Sequence, residues 1–344
     1  MLRYDTHHFQ RLCETSYVYR FHPSQKCGCK LQSVARCGGS MLETIGVTLN
    51  ILLPIFVVIG VAYVVGRTLK PDPRPLSTLL IYLFVPALIL EAVANSQISL
   101  NDLLGIGGTV AVFTIIFVVI GRGVARALRL DAGMTAAFVV SLIMVNAANY
   151  GLPVNEFAFG TEGLEIAVIY YVMATVIGSN TGIFIASQGR LTPQQALLNV
   201  IRVPMFGASV LGVVLNVFNV PIPVTIDRSL ALLSSATVPV MLALLGISLS
   251  AVRLDTNLRP VLIASALRLV AAPLVALPLA YVFGLTDTVF NVTVIQSSTP
   301  SAVLGAAVVL EFGTHSAFVS QVILVSTLLS LITMTILLIA LGAA

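Results

Sequence analysis

From Met41 onward the chain is written in long apolar blocks separated by short polar ones. The blocks fall at Ile45–Val65, Leu76–Ala94, Leu103–Ile120, Thr135–Tyr150 running on past Pro153, Glu165–Ser187, Ala196–Val217, Leu230–Leu249, Leu258–Phe283, Val289–Leu310 and Phe318–Leu341. Each is close to the ~20 residues that carry a helix across a bilayer's hydrocarbon core, so the pattern predicts an all-α polytopic membrane protein of about ten transmembrane helices. The separators, among them "RTLKPDPRP", "GRGVARALRLD", "QGRLTPQ" and "NVPIPVTIDR", are turn-like and too short to hold a second domain. Residues 41–344 therefore read as one membrane domain.

Two blocks break the pattern. The fourth is interrupted by "VNAANYGLPVN" (Val145–Asn155) and the ninth by "QSSTPSAVLG" (Gln296–Gly305). A lone glycine or proline in a membrane helix is most often a matter of packing. Here two polar, glycine- and proline-bearing interruptions stand five spans apart, and the second and seventh blocks also match, each carrying a Val-Pro in "LLIYLFVPALIL" and "LLSSATVPVMLALLGISL". The pairing predicts two five-helix repeats, 43–188 and 194–342. An odd number of spans per repeat makes the second insert upside down relative to the first.

Unpaired backbone in hydrocarbon costs several kcal/mol per group, so a break at membrane depth persists only where protein or a water-filled cavity covers it. In inverted-repeat architectures two broken helices cross near the midplane, and half-helix N-termini with roughly half a positive charge each face a ligand. Such a site suits an anion, with neutral amides and hydroxyls completing its hydrogen bonds. The candidate lining is Asn146, Asn149, Tyr150, Gly151, Pro153, Gln296, Ser297, Ser298, Thr299, Pro300 and Gly305.

Composition agrees with the pattern: 58% of residues are hydrophobic, 9% are charged, and the mean hydropathy is +1.02. The first forty residues are a different material. They hold all four cysteines (Cys13, Cys27, Cys29, Cys37), three of the four histidines (His7, His8, His22) and the whole formal charge of +4, since the remainder is neutral. Thiolates and imidazoles are zinc donors, but Cys27-x-Cys29 lacks a matched second pair, and no metal site is assigned. No apolar core of a signal peptide precedes Met41. Two readings of 1–40 stand: a segment upstream of the true start at Met41, or a disordered basic tail.

Loop charge orients the chain, because Lys and Arg are retained on the cytoplasmic side. The first connection carries Arg67, Lys70 and Arg74, the third Arg122, Arg126 and Arg129, the fifth Arg190, the seventh Arg253 and Arg259. Odd-numbered connections are accordingly expected inside, and both termini outside, at the plasma membrane.

Ionisable residues within spans are expensive and are candidates by default. Glu156, three residues past Pro153, either binds a coupling proton or lies in water at the end of a short half-helix. Arg268, deep in the eighth block, either neutralises a substrate carboxylate or pairs with a buried acid.

After Met41 there is no cysteine and only His315, and no HExxH, GxSxG or Walker P-loop appears. That disfavours intramembrane hydrolases, metalloproteases and ATP-driven pumps. No cofactor and no nucleic-acid partner is expected. A channel is the nearer rival to a transporter, although one chain with two opposed broken helices fits alternating access better than a multi-subunit filter. Without ATP, transport runs down an ion, substrate or voltage gradient, the last worth about 2.3 kcal/mol per charge per 100 mV.

The segments "VNAANYGLPVNEFAFG", "STPSAVLGAAVVLEFG" and "TVPVMLALLGISLS" resemble the auxin efflux carrier family of secondary transporters, which includes plant auxin carriers and bacterial malate and malonate permeases. The resemblance runs from about Glu43 to Leu341. Asn146, Gly151, Pro153 and Gly160 fall where the family places its asparagine, the glycine before the crossover, the crossover proline and a closing glycine. Pro300 matches the proline that opens the second crossover, while Gly305 stands where plant carriers have another. The resemblance implies a homodimer whose scaffold is formed by the first, second, sixth and seventh spans. It also implies a moving bundle of the other six, working by elevator-like alternating access on small carboxylates. Malate-like acids lead, and indole-type acids follow through Tyr150 as a stacking partner. The long cytoplasmic loop of many plant members is replaced by "QGRLTPQQ", so plant-style regulation is not expected.

Overall fold

Hydrocarbon offers no partner to backbone N–H and C=O groups, and this chain answers with helices almost throughout. The computed structural model describes residues 41–187, 204–254, 258–313 and 315–343. The leader 1–40 and the central connection 188–203, with Arg190, lie outside the described residues, as does the start of the expected sixth span.

The helices are α1 (Met41–Leu69), α2 (Arg74–Asn95), α3 (Leu100–Ala127), α4 (Ala132–Ile143), α5 (Ala147–Ala186), α6 (Pro204–Val217), α7 (Val224–Ser250), α8 (Arg259–Val282), α9 (Asp287–Ser297), α10 (Val303–Glu311) and α11 (Ser316–Ala340). Among the described residues, seven are long and apolar enough to cross a membrane: most of α1, and α2, α3, α5, α7, α8 and α11. The chain is thus an all-helical polytopic membrane protein. Apolar side chains on the outer faces of α1 and α6, including Leu53, Val57, Val61, Val210 and Val217, are exposed as lipid contact requires.

Wide π turns punctuate these helices, and three of the four end two residues before a proline: Leu80–Phe84 before Pro86, Ala147–Gly151 before Pro153, and Leu267–Ala271 before Pro273. Proline has no N–H and its ring collides with the carbonyl four residues back. A widened turn accommodates both without breaking the helix. The fourth, Thr175–Ser179, has no such proline.

α5 bends at Gly160, whose φ of 65° lies in the region that L side chains avoid. The bend divides it into a short arm, 147–159, and a long one. The expected fifth span, placed from Glu165, thus follows the short arm with no intervening loop.

α1 runs along α7, α7 packs on α2, and α2 packs on α6. α9 lies on α5, and α8 bridges α9 and α11. Helix ends sort by charge. At one end His315 meets Asp131 at 3.7 Å, Gln321 Nε2 donates to the Arg253 carbonyl at 3.2 Å, and Gly66 sits against Ser250. These contacts gather the arginine-bearing segments 67–74, 122–131 and 251–254. At the other end Asn216 Nδ2 donates to the carbonyls of Ala94 and Ser96, both at 2.9 Å, and Glu91 and Glu162 lie near Glu165.

Candidate functional site

The two interrupted blocks meet. α4 stops at Ile143, ten residues before Pro153, and α9 stops at Ser297, three residues before Pro300. The extended linkers that follow lie antiparallel, bridged at Val145 and Ser301. Asn146 N donates to the Pro300 carbonyl and Ala302 N donates to the Met144 carbonyl, each at 2.9 Å. Backbone groups that leave one helix are therefore taken up by the other linker, as buried polar groups demand. α5 and α10 then resume beyond the pair.

Side chains from two further helices, and a main-chain carbonyl of α4, hold this crossing. From α11, Ser326 Oγ accepts Ser301 N at 3.2 Å, and Ser330 Oγ donates to Tyr150 Oη at 3.0 Å. From α4, the Ser141 carbonyl accepts the Ser301 hydroxyl. From α8, the fully buried Arg268 donates Nε to the Thr299 carbonyl at 2.8 Å, Nη1 to that of Leu142 at 3.3 Å and Nη2 to that of Ser297 at 2.5 Å. Its guanidinium also stands 5.5 Å over the Phe113 ring on α3, a favourable cation–π distance. The π turn at Leu267–Ala271, set by Pro273, carries Arg268 to this position.

The remaining candidates divide by partner. Asn146 is 3% exposed and its Nδ2 has no hydrogen-bond partner; Gln296 is fully buried, with Nε2 on the Ala167 carbonyl at 3.1 Å and Oε1 unpartnered. Such groups are rare in folded proteins and call for an explanation. Ser297 Oγ pairs with Tyr170 Oη at 2.9 Å, whereas Ser298 and Thr299 turn their hydroxyls back onto the Val294 and Gln296 carbonyls of α9. Pro153 and Pro300 are buried, and Asn149 is half-buried. Tyr150 is wholly buried, edge-on to Phe56 at 6.2 Å, so its ring belongs to the core. Gly305 is helical with φ outside the glycine region, and its N–H bonds the Ala302 carbonyl at 3.0 Å. It is part of α10 and not a flexible joint.

Sequence reasoning passed over Asn155, Tyr170, Ser141, Ser326 and Ser330. Asn155 Nδ2 donates to the Gly151 carbonyl at 2.7 Å, leaving a buried Oδ1 without a partner. The signal available for Asn155 was its place in the same polar interruption.

Two clefts open along α7. One of ≈ 440 Å³ is lined by Glu156, Phe157, Gly160, Thr161, Ser235, Val238 and Pro239. The other, ≈ 240 Å³, lies toward the arginine-rich end between α7, α10 and α11, with Ser248, Ser316 and Ser320 on its walls. Among the described residues no three His, Cys, Asp or Glu side chains gather as a metal would require.

Crossed helix breaks with unsatisfied amides thus lie buried in a polytopic bundle. A model of the membrane transport protein family matches residues 47–338, and the chain belongs to that family, the auxin efflux carriers. An uncharacterized transporter of Methanothermobacter thermautotrophicus is 29% identical over 287 residues, covering 82% of this chain and 95% of the relative. An uncharacterized transporter of Methanocaldococcus jannaschii is 24% identical over 302 residues, covering 83% of this chain and 96% of the relative.

Proposed function

We propose that this chain is a secondary transporter of small organic anions, a carboxylate carrier that binds its substrate at the crossing of the α4–α5 and α9–α10 linkers. The observation that carries this reading is the paired linkers, joined by two 2.9 Å hydrogen bonds, with the Asn146 Nδ2 donor and the Gln296 Oε1 acceptor left free beside them. A carboxylate satisfies the donor and is drawn by the positive N-termini of α5 and α10, while a hydroxyl or carboxylic proton on the same molecule satisfies the acceptor.

In this reading the chain forms ten transmembrane helices in two inverted repeats, 43–188 and 194–342, after the leader 1–40. The helices α1, α2, α6 and α7 make the scaffold and homodimer surface, and the rest slide against it as an elevator. Their mutual packing supports the division, and the two clefts along α7 are the approaches from the two faces. In the same reading the end bearing Arg67, Arg129 and Arg253 faces the cytoplasm from a plasma membrane, which the clustering of arginines there supports.

The test is counterflow in proteoliposomes with a panel of radiolabelled mono- and dicarboxylates, beside Asn146→Ala. Saturable accumulation of at least one acid, lost in the variant, is expected. Non-saturable flux indifferent to the substitution would place the protein among channels instead.

A further inference from the structure

Arg268 brings a full positive charge into the crossing. Arginine stays protonated in proteins, and among the described residues no carboxylate pairs with this one. Its three partners are carbonyls, and two of them, Leu142 and Ser297, belong to the last turns of α4 and α9. Those ends carry roughly half a negative charge each, and the N-termini of α5 and α10 across the linkers carry roughly half a positive charge each. The four helix ends cancel. What remains is the guanidinium.

Arg268 lies nine residues into α8, near the middle of a helix of membrane-spanning length. Bonded to both broken helices and to a linker, it is fixed to the crossing and moves wherever the crossing moves. We infer, on the basis of the anion reading above, that the empty site carries one positive charge and takes one unit of negative charge: a monocarboxylate, or a dicarboxylate that keeps one proton. The loaded bundle then crosses the membrane neutral, and the empty bundle crosses as a monocation. Voltage acts on the empty return and leaves the loaded step alone. An inside-negative potential draws the empty bundle to the cytoplasmic face, where it reloads, so each cycle still exports one negative charge.

The experiment uses the full chain in proteoliposomes, a monocarboxylate taken from the panel, and membrane potential clamped with potassium and valinomycin. Net efflux is compared with equilibrium exchange at saturating acid on both faces, a condition in which the bundle never returns empty. Net efflux should change about threefold or more between zero and a strongly inside-negative potential, with exchange nearly unchanged. Exchange as voltage-sensitive as net efflux overturns the inference, because the charge then moves with the substrate. Arg268→Gln should make exchange voltage-sensitive, and Arg268→Lys, which keeps the charge, should not; the wild-type comparison decides the matter even if neither variant folds. No exchange of any acid would instead overturn the anion reading itself.

Discussion

The side-chain Oε1 of Gln296, at the end of α9, occupies the space where Gly151, at the start of α5, would carry a Cβ. The last turn before one break rests on the first turn after the other. Gly151→Ala must therefore push the Gln296 amide off the Ala167 carbonyl, at a cost of about 1–3 kcal/mol for overpacking, and transport should fall with it. The double variant Gly151→Ala with Gln296→Ala should recover part of that stability. Thermal unfolding in detergent across the four proteins measures the coupling.

Gly305 gives the opposite result. A Cβ there meets Val140 and Val319 at 3.5 Å, an ordinary contact distance. Gly305→Ala should hold stability within about 0.5 kcal/mol and leave transport intact.

Ser326→Ala takes the acceptor from Ser301 N inside the linker pair. An orphaned buried N–H costs about 1–3 kcal/mol, and Ser326→Thr, which keeps the hydroxyl, should cost less. Denaturant unfolding of the two variants separates the lost hydrogen bond from a general intolerance of change in α11.

Arg268→Gln strips donors from three buried carbonyls at once, and Arg268→Lys cannot reach all three from a single ammonium. Glutamine should be the more destabilising and lysine intermediate. The monodisperse fraction on size-exclusion chromatography reports the order. Equal loss in both would mean that the fork's geometry, and not its charge, dominates.

At the arginine-rich end, Asp131 accepts Met134 N at 2.9 Å as the N-cap of α4, and that bond, with nearby His315, holds its carboxyl below its ordinary value of 3.8. A depressed carboxylate contributes stability that is complete above the unfolded value and is lost as pH falls through the folded one. Wild type should therefore exceed Asp131→Asn in thermal stability at neutral pH, and the advantage should begin to shrink as pH falls below 3.8 and go on shrinking through the lower folded value. A difference constant with pH would remove the charge from the cap's role.

The all-helical membrane fold was legible because apolar blocks of spanning length need only composition to be recognised. The interruption in the fourth block was legible too, and its first two residues, Val145 and Asn146, are the linker; the proline was the misleading part. Pro153 draws the eye, yet the helix ends ten residues earlier at Ile143, and Pro153 sits inside the resumed helix, where its missing N–H costs little. Arg268 looked like a substrate or acid partner. Only the fold reveals that its partners are main-chain carbonyls, a contact that leaves no mark in sequence. Ser326 and Ser330 stayed hidden for a related reason: serines in a membrane helix commonly bond their own backbone, and nothing local distinguishes those that reach across.

The central claim, that the crossed linkers are the transport site reached alternately from two faces, is tested most directly by thiol accessibility. A single cysteine replaces Asn149 in a chain whose leader cysteines are serines, and impermeant reagents are applied to either face of oriented vesicles. The account predicts labelling from both faces, with substrate shifting the two rates in opposite directions. Labelling from one face only, or rates from both faces that rise and fall together, would contradict it.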